Sequence, residues 1–110
     1  MADKYFHQRL IPAAATETTI YTVPAANTAI IKSLRVTNAS GSQSDITVSQ
    51  YETSGGAVGY LYHEQALAHS ASVDVFAGVP CILEESNVLK VTSTRADVTF
   101  YLSYLEVDRD

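Results

Sequence analysis

The sequence contains a single cysteine, Cys81, so one chain cannot close a disulfide on itself. Cys81 lies between a proline and an isoleucine, and we expect its thiol to be buried and unreactive. Basic residues are also scarce: 7 Lys and Arg are scattered along 110 residues beside 12 Asp and Glu, which gives a formal net charge of −5. Binding to nucleic acid or to anionic lipid needs a basic cluster. We therefore expect neither nucleic acid nor a membrane as a partner.

Long apolar runs are missing as well. No run approaches the roughly 20 residues that cross a bilayer, and residues 1–9 lack the apolar core of a secretory signal, so we expect synthesis in a cytoplasm. A length of 110 residues leaves room for one domain. Charged residues make up only 17%, and much of the other polarity is uncharged Ser, Thr, Asn and Gln. Such a surface costs less to desolvate than a charged one, which favours contacts with proteins.

The patterns that would support catalysis or metal binding are absent too. No serine lies in a Gly-x-Ser-x-Gly turn, and adjacent Glu84 and Glu85 would point to opposite faces of an extended chain, which prevents them from acting together. Zinc sites need three or four converging ligands, and no such spacing surrounds the histidines, which are His7, His63 and His69. We expect a non-enzymatic protein without metal or cofactor; a hydrolase remains a minor alternative.

The sequence is instead rich in two-residue alternation of apolar and polar side chains. β-Branched and aromatic residues dominate these segments, and Gly, Pro, Ser and Asn separate them. Strands are predicted over 18–23, 28–38, 45–51, 58–63, 70–77, 88–93 and 98–105, with a short apolar run at 81–83. The stretch 64–68 favours a helix but is too short to hold one, so we expect a turn or an irregular crossing there. The fold class is all-β, an antiparallel β-sandwich or jelly-roll-like fold with about seven or eight strands.

The first segment, residues 1–17, lacks this alternation. Pro12 restricts its own backbone and that of Ile11, so the segment is predicted as an extended N-terminal arm with a turn. The sandwich domain is then 18–110. An arm of this kind can add a strand to a neighbouring subunit or become ordered when it binds.

Two strands flank the Ser/Gly-rich turn at 39–44 and are predicted to pair as an antiparallel hairpin. In a regular strand, residues two apart share a face. On the first of these strands Ile30, Leu34 and Val36 are therefore predicted on one face and Ile31 on the other.

Seven tyrosines are the main candidates for contacts, because tyrosine combines a rigid apolar body with a polar tip and is enriched at interfaces. Tyr60 and Tyr62 share a face of a regular strand, where they could also stack on a sugar. The inward side of the last strand is predicted to carry Val98, Phe100, Leu102 and Tyr104, which places Tyr101 outside. Together with residues of the arm, the candidate protein-interface residues are Tyr5, Phe6, Arg9, Tyr60, Tyr62 and Tyr101.

The segment Ile20-Tyr21-Thr22-Val23-Pro24-Ala25, followed by 29–38, resembles the opening of small β-sandwich structural proteins of tailed bacteriophages. In those proteins a Tyr-Thr-Val-Pro-Ala segment precedes an apolar pair, Lys-Ser and a strand that ends in Thr-Asn. The resemblance extends to 88–93 and to the closing aromatic strand. Relatives often carry Gly-Asp before the penultimate strand, where this sequence has Ser86-Asn87.

This resemblance implies a structural protein of the phage virion. The first hypothesis is a capsid decoration, or cement, protein that binds and stabilises the major capsid lattice. A neck, tail or baseplate subunit is the alternative, and a glycan-binding module of a fibre is a third. The expected partners are the major capsid protein, other virion proteins and further copies of the chain in a dimer or trimer. No catalytic residues come with the resemblance.

Overall fold

The structure is a computed structural model that describes residues 3–53, 56, 58–77 and 79–108, and within these ranges it contains nine β-strands and no helix. The strands are β1 (Asp3–Leu10), β2 (Thr18–Thr22), β3 (Asn27–Asn38), β4 (Ser44–Tyr51), β5 (Val58–Leu67), β6 (Ser72–Asp74), β7 (Cys81–Leu83), β8 (Val88–Ser93) and β9 (Val98–Asp108).

The strands form two antiparallel sheets. The larger sheet has five strands in the order β1-β9-β3-β6, with β7 also paired to β3, and the smaller sheet has the order β2-β8-β4-β5. β6 and β7 pair with different parts of β3, at Val36↔Val73 and Ile30↔Ile82, and together they occupy the place of one strand. This wiring is that of a jelly roll. The predicted all-β antiparallel sandwich is confirmed.

The two sheets share one apolar core between their inner faces. Along β9, Val98, Phe100, Leu102 and Tyr104 alternate inward, as the sequence predicted. The largest fully buried side chains come from both sheets and include Phe100, Ile31, Leu34, Ile46, Leu83, Leu89 and Leu102. Because aliphatic and aromatic side chains fill the space between the sheets, the outer faces are the surfaces left for contacts.

A β-bulge in β3 reverses the predicted orientation of one isoleucine. The register between β3 and β9 shifts at Lys32, so this residue is the extra one in its strand. Ile31 is buried before the bulge and Leu34 after it, while Ile30 lies on the outer side. The prediction that Ile30 shares a face with Leu34 is therefore wrong, because a bulge shifts the alternation by one residue.

A second bulge separates two tyrosines of β5. Tyr60 lies opposite Ser49, and Tyr62 lies opposite Val48. Since Val48 and Ser49 are consecutive in β4, they face opposite sides of the sheet, and so do the tyrosines. The predicted shared face is wrong: Tyr60 is exposed, whereas Tyr62 is half-buried and packs against the core.

β5 also continues further than predicted. Residues 64–67 belong to the strand, where a turn or irregular crossing was expected. The irregularity is limited to Glu64, whose φ is 49° and whose amide donates to Oγ1 of Thr47 at 3.1 Å. This hydrogen bond gives the Glu64 amide a partner at the second register shift between β4 and β5. The strand then continues and ends at Leu67.

The chain crosses from the larger to the smaller sheet directly after β3, at a corner built on Asn38. This buried amide donates from Nδ2 to the carbonyls of Ser42 and Leu67, both at 2.9 Å. Its Oδ1 accepts from the Ser40 amide at 2.9 Å and the Ser40 hydroxyl at 2.6 Å. Asn side chains that bond the backbone two residues on stabilise such turns. β3 and β4 consequently lie in different sheets, and the predicted hairpin between them is wrong.

Part of the segment assigned to an arm lies in the sandwich. Residues 3–10 form β1, whose antiparallel register with β9 runs from Asp3↔Val107 to Leu10↔Phe100. β3 occupies the other side of β9, so β1 completes this strand's backbone hydrogen bonding. The following residues lead to the smaller sheet, and the amide of Ala15 donates to the carbonyl of Ser93 at 2.7 Å.

Candidate interaction surfaces

The outer face of the larger sheet carries four apolar side chains in line across four strands. Tyr5 of β1 lies opposite Leu105 of β9, Leu105 lies opposite Ile30 of β3, and Ile30 lies opposite Ile82 of β7. Opposed residues in antiparallel strands have Cβ atoms about 5 Å apart, so the four form a continuous strip, here named the apolar row. Tyr5 is 74% exposed and Ile82 is 57% exposed, which leaves both ends of the row open to a partner.

A shallow groove of about 300 Å³ adjoins the apolar row. The His7 ring stacks on Tyr101 with 5.5 Å between ring centroids and 4° between planes. Lys32 reaches the groove because the bulge makes it the extra residue of β3. The residues that line the groove are Tyr5, Phe6, His7, Lys32, Tyr101, Ser103 and Tyr104. Aromatic surfaces beside one ammonium group suit a partner that supplies both apolar and acidic side chains.

A network between the two sheets supports β9 behind this groove. The Tyr21 hydroxyl of β2 donates to Oε2 of Glu106 at 2.6 Å, and the Tyr21 and Tyr104 rings are 4.2 Å apart. Burial raises the pKa of Tyr21, and its hydrogen bond to Glu106 raises it further. Burial also raises the pKa of Tyr104, although the hydrogen bond from Gln8 opposes this. Both phenols therefore stay neutral at physiological pH and hold β9 in place.

A second row on the same outer face is charged. Arg9 of β1 lies opposite Tyr101, Tyr101 lies opposite Arg35, and Arg35 lies opposite Asp74 of β6. These four residues are here named the charged row. With Lys32, the side chains that the structure describes on the outer face of the larger sheet include three cations and one carboxylate. Among the described residues the one ion pair is His63–Glu64, at 3.7 Å, so Arg9, Lys32 and Arg35 have no carboxylate of a described side chain within 4.0 Å.

The outer face of the smaller sheet has the opposite balance. Among the described residues its carboxylates are those of Glu17, Asp45 and Glu64, and its lysine is Lys90, on β8. The Glu17 carboxylate accepts hydrogen bonds from Ser49 Oγ at 3.1 Å and Tyr51 OH at 3.0 Å. The bond from Tyr51 raises the pKa of that phenol, and the Lys90 ammonium lies 4.3 Å from the Tyr51 ring centroid.

The structure brings four of the six predicted interface residues together. Tyr5, Phe6 and Tyr101 line the groove, and Arg9 lies opposite Tyr101 in the charged row. The other two, Tyr60 and Tyr62, lie on β5 in the smaller sheet. Tyr60 is 58% exposed and stacks on His63 with 4.5 Å between ring centroids, whereas Tyr62 packs against the core.

Sequence reasoning missed most of the apolar row. The alternation of β9 places Leu105 outside together with Tyr101, and this signal was readable. The outward orientation of Ile30 depends on the bulge at Lys32, and the sequence has no local signal for that bulge. The place of Ile82 in the row depends on the pairing of the short β7 with β3, and these two strands are far apart in the sequence.

The remaining candidate residues lie apart from one another. His69 donates from Nδ1 to the Ser40 carbonyl at 2.9 Å, whereas His7 stacks on Tyr101 of the larger sheet and His63 stacks on Tyr60 of β5. Within the ranges that the structure describes, no three His, Cys, Asp or Glu side chains are arranged to hold a metal. Cys81 is half-buried in β7, and burial raises the pKa of its thiol. The same ranges contain no helix that is long and apolar enough to cross a membrane.

Comparisons with known proteins locate the fold among proteins of filaments and viral particles. No protein-family model matches the sequence, and no curated protein matches it. A chain from Bacillus endospore appendages, which form disulfide-linked pili, superposes with a TM-score of 0.58 at 13% identity, over 99% of this chain and 88% of that one. At this identity the likeness concerns the fold alone.

Two structures of infectious bursal disease virus are also similar. A chain of the Gx strain gives a TM-score of 0.53 at 12% identity over 96% of this chain, and a chain of the T13 viral particle gives 0.52 at 6% identity over 97%. The present chain spans only 30% and 35% of those viral chains, so the likeness covers one domain of each. The jelly roll seen here thus occurs in chains that build large assemblies.

Proposed function

We propose that this chain is a non-enzymatic structural protein of a phage virion, a decoration or cement protein that binds and stabilises the major capsid lattice. The observation that carries the proposal is the outer face of the larger sheet, where the apolar row and the groove lie side by side. Monomeric soluble proteins rarely leave large contiguous apolar patches exposed, and such patches mark interaction sites. The sequence resemblance to phage structural proteins supports the phage virion as the proposed location.

The geometry of this face suits assembly. Protein interfaces have an apolar, aromatic centre and a polar rim, and here the apolar row is flanked by the polar positions of β3 and β9. The groove of about 300 Å³ lies at the lower end of the range for binding pockets, so it fits an inserted side chain better than a large ligand. The face is formed by paired strands, so little conformational freedom is lost when it docks.

The proposed partners are the major capsid protein, other virion proteins and copies of this chain, and the proposed location is the virion. A cement protein works by bridging subunits that would otherwise separate. That role requires binding, and none of the proposed contacts requires a reacting group.

The experiment adds the purified chain to phage capsids that lack it and measures occupancy by cryo-electron microscopy and quantitative mass spectrometry. We expect density over the shell at a copy number comparable to that of the major capsid protein. The double variant Tyr5→Ser/Ile82→Ser should lose this occupancy while its circular dichroism spectrum and Tm stay close to the parent's. The control Tyr60→Ser, at a site on the smaller sheet that is as exposed as Ile82, should reduce occupancy less.

Density confined to the neck or tail would replace the cement role with that of a tail component. Equal occupancy of the parent and the Tyr5→Ser/Ile82→Ser variant would show that the larger sheet's face is not the binding surface. Either result would overturn the proposal as stated.

A further inference from the structure

We infer that copies of this chain associate head to tail, with the outer face of the larger sheet of one copy against the outer face of the smaller sheet of the next. The inference rests on the proposed role of the larger sheet's face in assembly: a second copy covers this face within a stack, and the copy at the end of the stack keeps it free for the capsid. Its basis is the opposite charge of the two faces, which lie on opposite sides of the sandwich.

The described side chains of the larger sheet's outer face carry a net positive charge, although the sequence as a whole carries −5. Arg9 and Arg35 flank Tyr101 in the charged row, and Lys32 adds a third cation at the groove. Asp74, at the end of the row, is the carboxylate among the described side chains of this face, and one of its oxygens accepts from the Phe76 amide at 3.2 Å.

The smaller sheet's outer face is negative. Glu17, Asp45 and Glu64 stand against Lys90, whose ammonium is held over the Tyr51 ring. The hydroxyl donors on Glu17 are neutral, so they orient its charge without cancelling it. Electrostatic complementarity of this kind steers association and fixes which face meets which.

Both faces also expose apolar side chains that could meet at the centre of such a contact. The larger sheet presents the apolar row, and the smaller sheet presents Val58 and Tyr60, which are 43% and 58% exposed. The molecule measures 46 × 26 × 20 Å. A face spanned by the two longer dimensions exceeds the roughly 800 Å² per partner that a stable interface buries.

A contact between two different faces is heterologous. Two copies joined in this way leave the larger sheet free at one end and the smaller sheet free at the other, so association continues until a ring closes or a filament grows. A two-fold dimer, in which one face meets its own copy, would bring the cations of two larger sheets together. Like charges at an interface oppose that arrangement.

The experiment measures the oligomeric state of the purified full chain by sedimentation velocity as a function of protein and NaCl concentration. We expect trimers or larger species that dissociate as salt is raised, because salt screens exposed charges. Arg35→Glu and Glu64→Lys should each raise the dissociation constant about tenfold. An equimolar mixture of the two variants should associate more tightly than either alone.

Two matched controls carry the same charge changes on turns outside the strands: Arg95→Glu, between β8 and β9, and Glu84→Lys, between β7 and β8. Each should stay within about twofold of the parent, and circular dichroism should show all four variants folded. A monomer at every concentration, a closed dimer, or equal effects of Arg35→Glu and Arg95→Glu would overturn the inference. The capsid assay above is independent: a chain that decorates capsids as a monomer refutes the inference alone, and one that self-associates without binding capsids refutes the proposed function alone.

Discussion

β9 and β5 are strands of nearly equal length, 11 and 10 residues, but they lie in different environments. β9 lies between β1 and β3, and its inward side chains are almost completely buried. β5 is an edge strand that pairs with β4, and of its residues only Leu67 is buried, with Tyr62 half-buried. Both were predicted as strands. The comparison shows that alternation identifies a strand, while its place in the sheet decides what its side chains contribute.

The two strands differ in regularity for the same reason. β9 contacts strands on both sides, so its side chains must fit two neighbours at once. β5 has a neighbour on one side and tolerates two shifts in register, at Leu61 and near Glu64. Bulges at an edge also hinder pairing with another chain. We therefore expect mutations in β9 to affect stability and mutations in β5 to affect the surface.

The largest effect is expected from Leu102→Ala in β9. Leu102 is fully buried, so the change removes apolar contacts and leaves a cavity. We expect a loss of about 3–5 kcal/mol in the free energy of unfolding, measured by urea denaturation. A loss below about 1 kcal/mol would show that the core relaxes around this site and would weaken the contrast between the strands.

Asn38→Ala should cost somewhat less. The change leaves the carbonyls of Ser42 and Leu67 and the hydroxyl of Ser40 without this partner at a buried corner. We expect a loss of about 2–3 kcal/mol in the same measurement. Asn27→Ala is the control, because Asn27 makes one local bond, from Nδ2 to the Ala25 carbonyl, and should lose under about 1 kcal/mol. Similar losses for the two variants would contradict the assigned role of Asn38.

Tyr21→Phe tests the link between β2 and β9 and has a pH signature. Loss of the bond to Glu106 should cost about 1 kcal/mol at neutral pH. The folded state raises the pKa of Tyr21, so above about pH 10 the unfolded chain loses this proton first and parent stability falls as pH rises. Tyr21→Phe should show a shallower fall.

Denaturation at neutral and alkaline pH measures both effects of Tyr21→Phe. Tyr60→Phe, which removes an exposed hydroxyl from β5, should match the parent at each pH. An unchanged alkaline slope in Tyr21→Phe would argue against the buried hydrogen bond.

The smallest effect is expected from Leu61→Ala in β5. The change is chemically identical to Leu102→Ala, but Leu61 is the extra residue of a bulge and is 41% exposed. We expect a change within about 0.5 kcal/mol. A loss near that of Leu102→Ala would show that β5 is covered in solution, as self-association through the smaller sheet could cause. Repeating the measurement at low protein concentration separates these cases.

The sequence predicted the fold class and most strands because both follow from local alternation. It also placed Tyr101 outside and Phe100 inside, since β9 is regular. It failed at Ile30 and Tyr62, where a bulge shifts the alternation and the cause lies in the partner strand. The predicted pairing of β3 with β4 was wrong for a related reason. A buried side-chain network at Asn38 turns the chain from the larger sheet into the smaller one.

Only part of the interaction surface was open to such reasoning. Tyr5 and Tyr101 were predicted as contact residues from residue type and from their places in the arm and on the last strand, and their role in contacts stays a prediction. The apolar and charged rows arise when β1, β9 and β3 align, and that alignment joins segments from both ends of the chain. Local patterns carry no information about which distant strands become neighbours.

The pairing of β1 with β9 has a consequence for synthesis. Leu10 lies opposite Phe100, so the first strand leaves the ribosome long before its partner exists. At roughly 5–20 residues per second, the wait is on the order of ten seconds. During that time a nascent chain displays Tyr5 and Phe6 to finished molecules nearby. We therefore expect slower translation near the end of the message to increase the yield of domain-swapped dimers, in which β1 of one copy pairs with β9 of another.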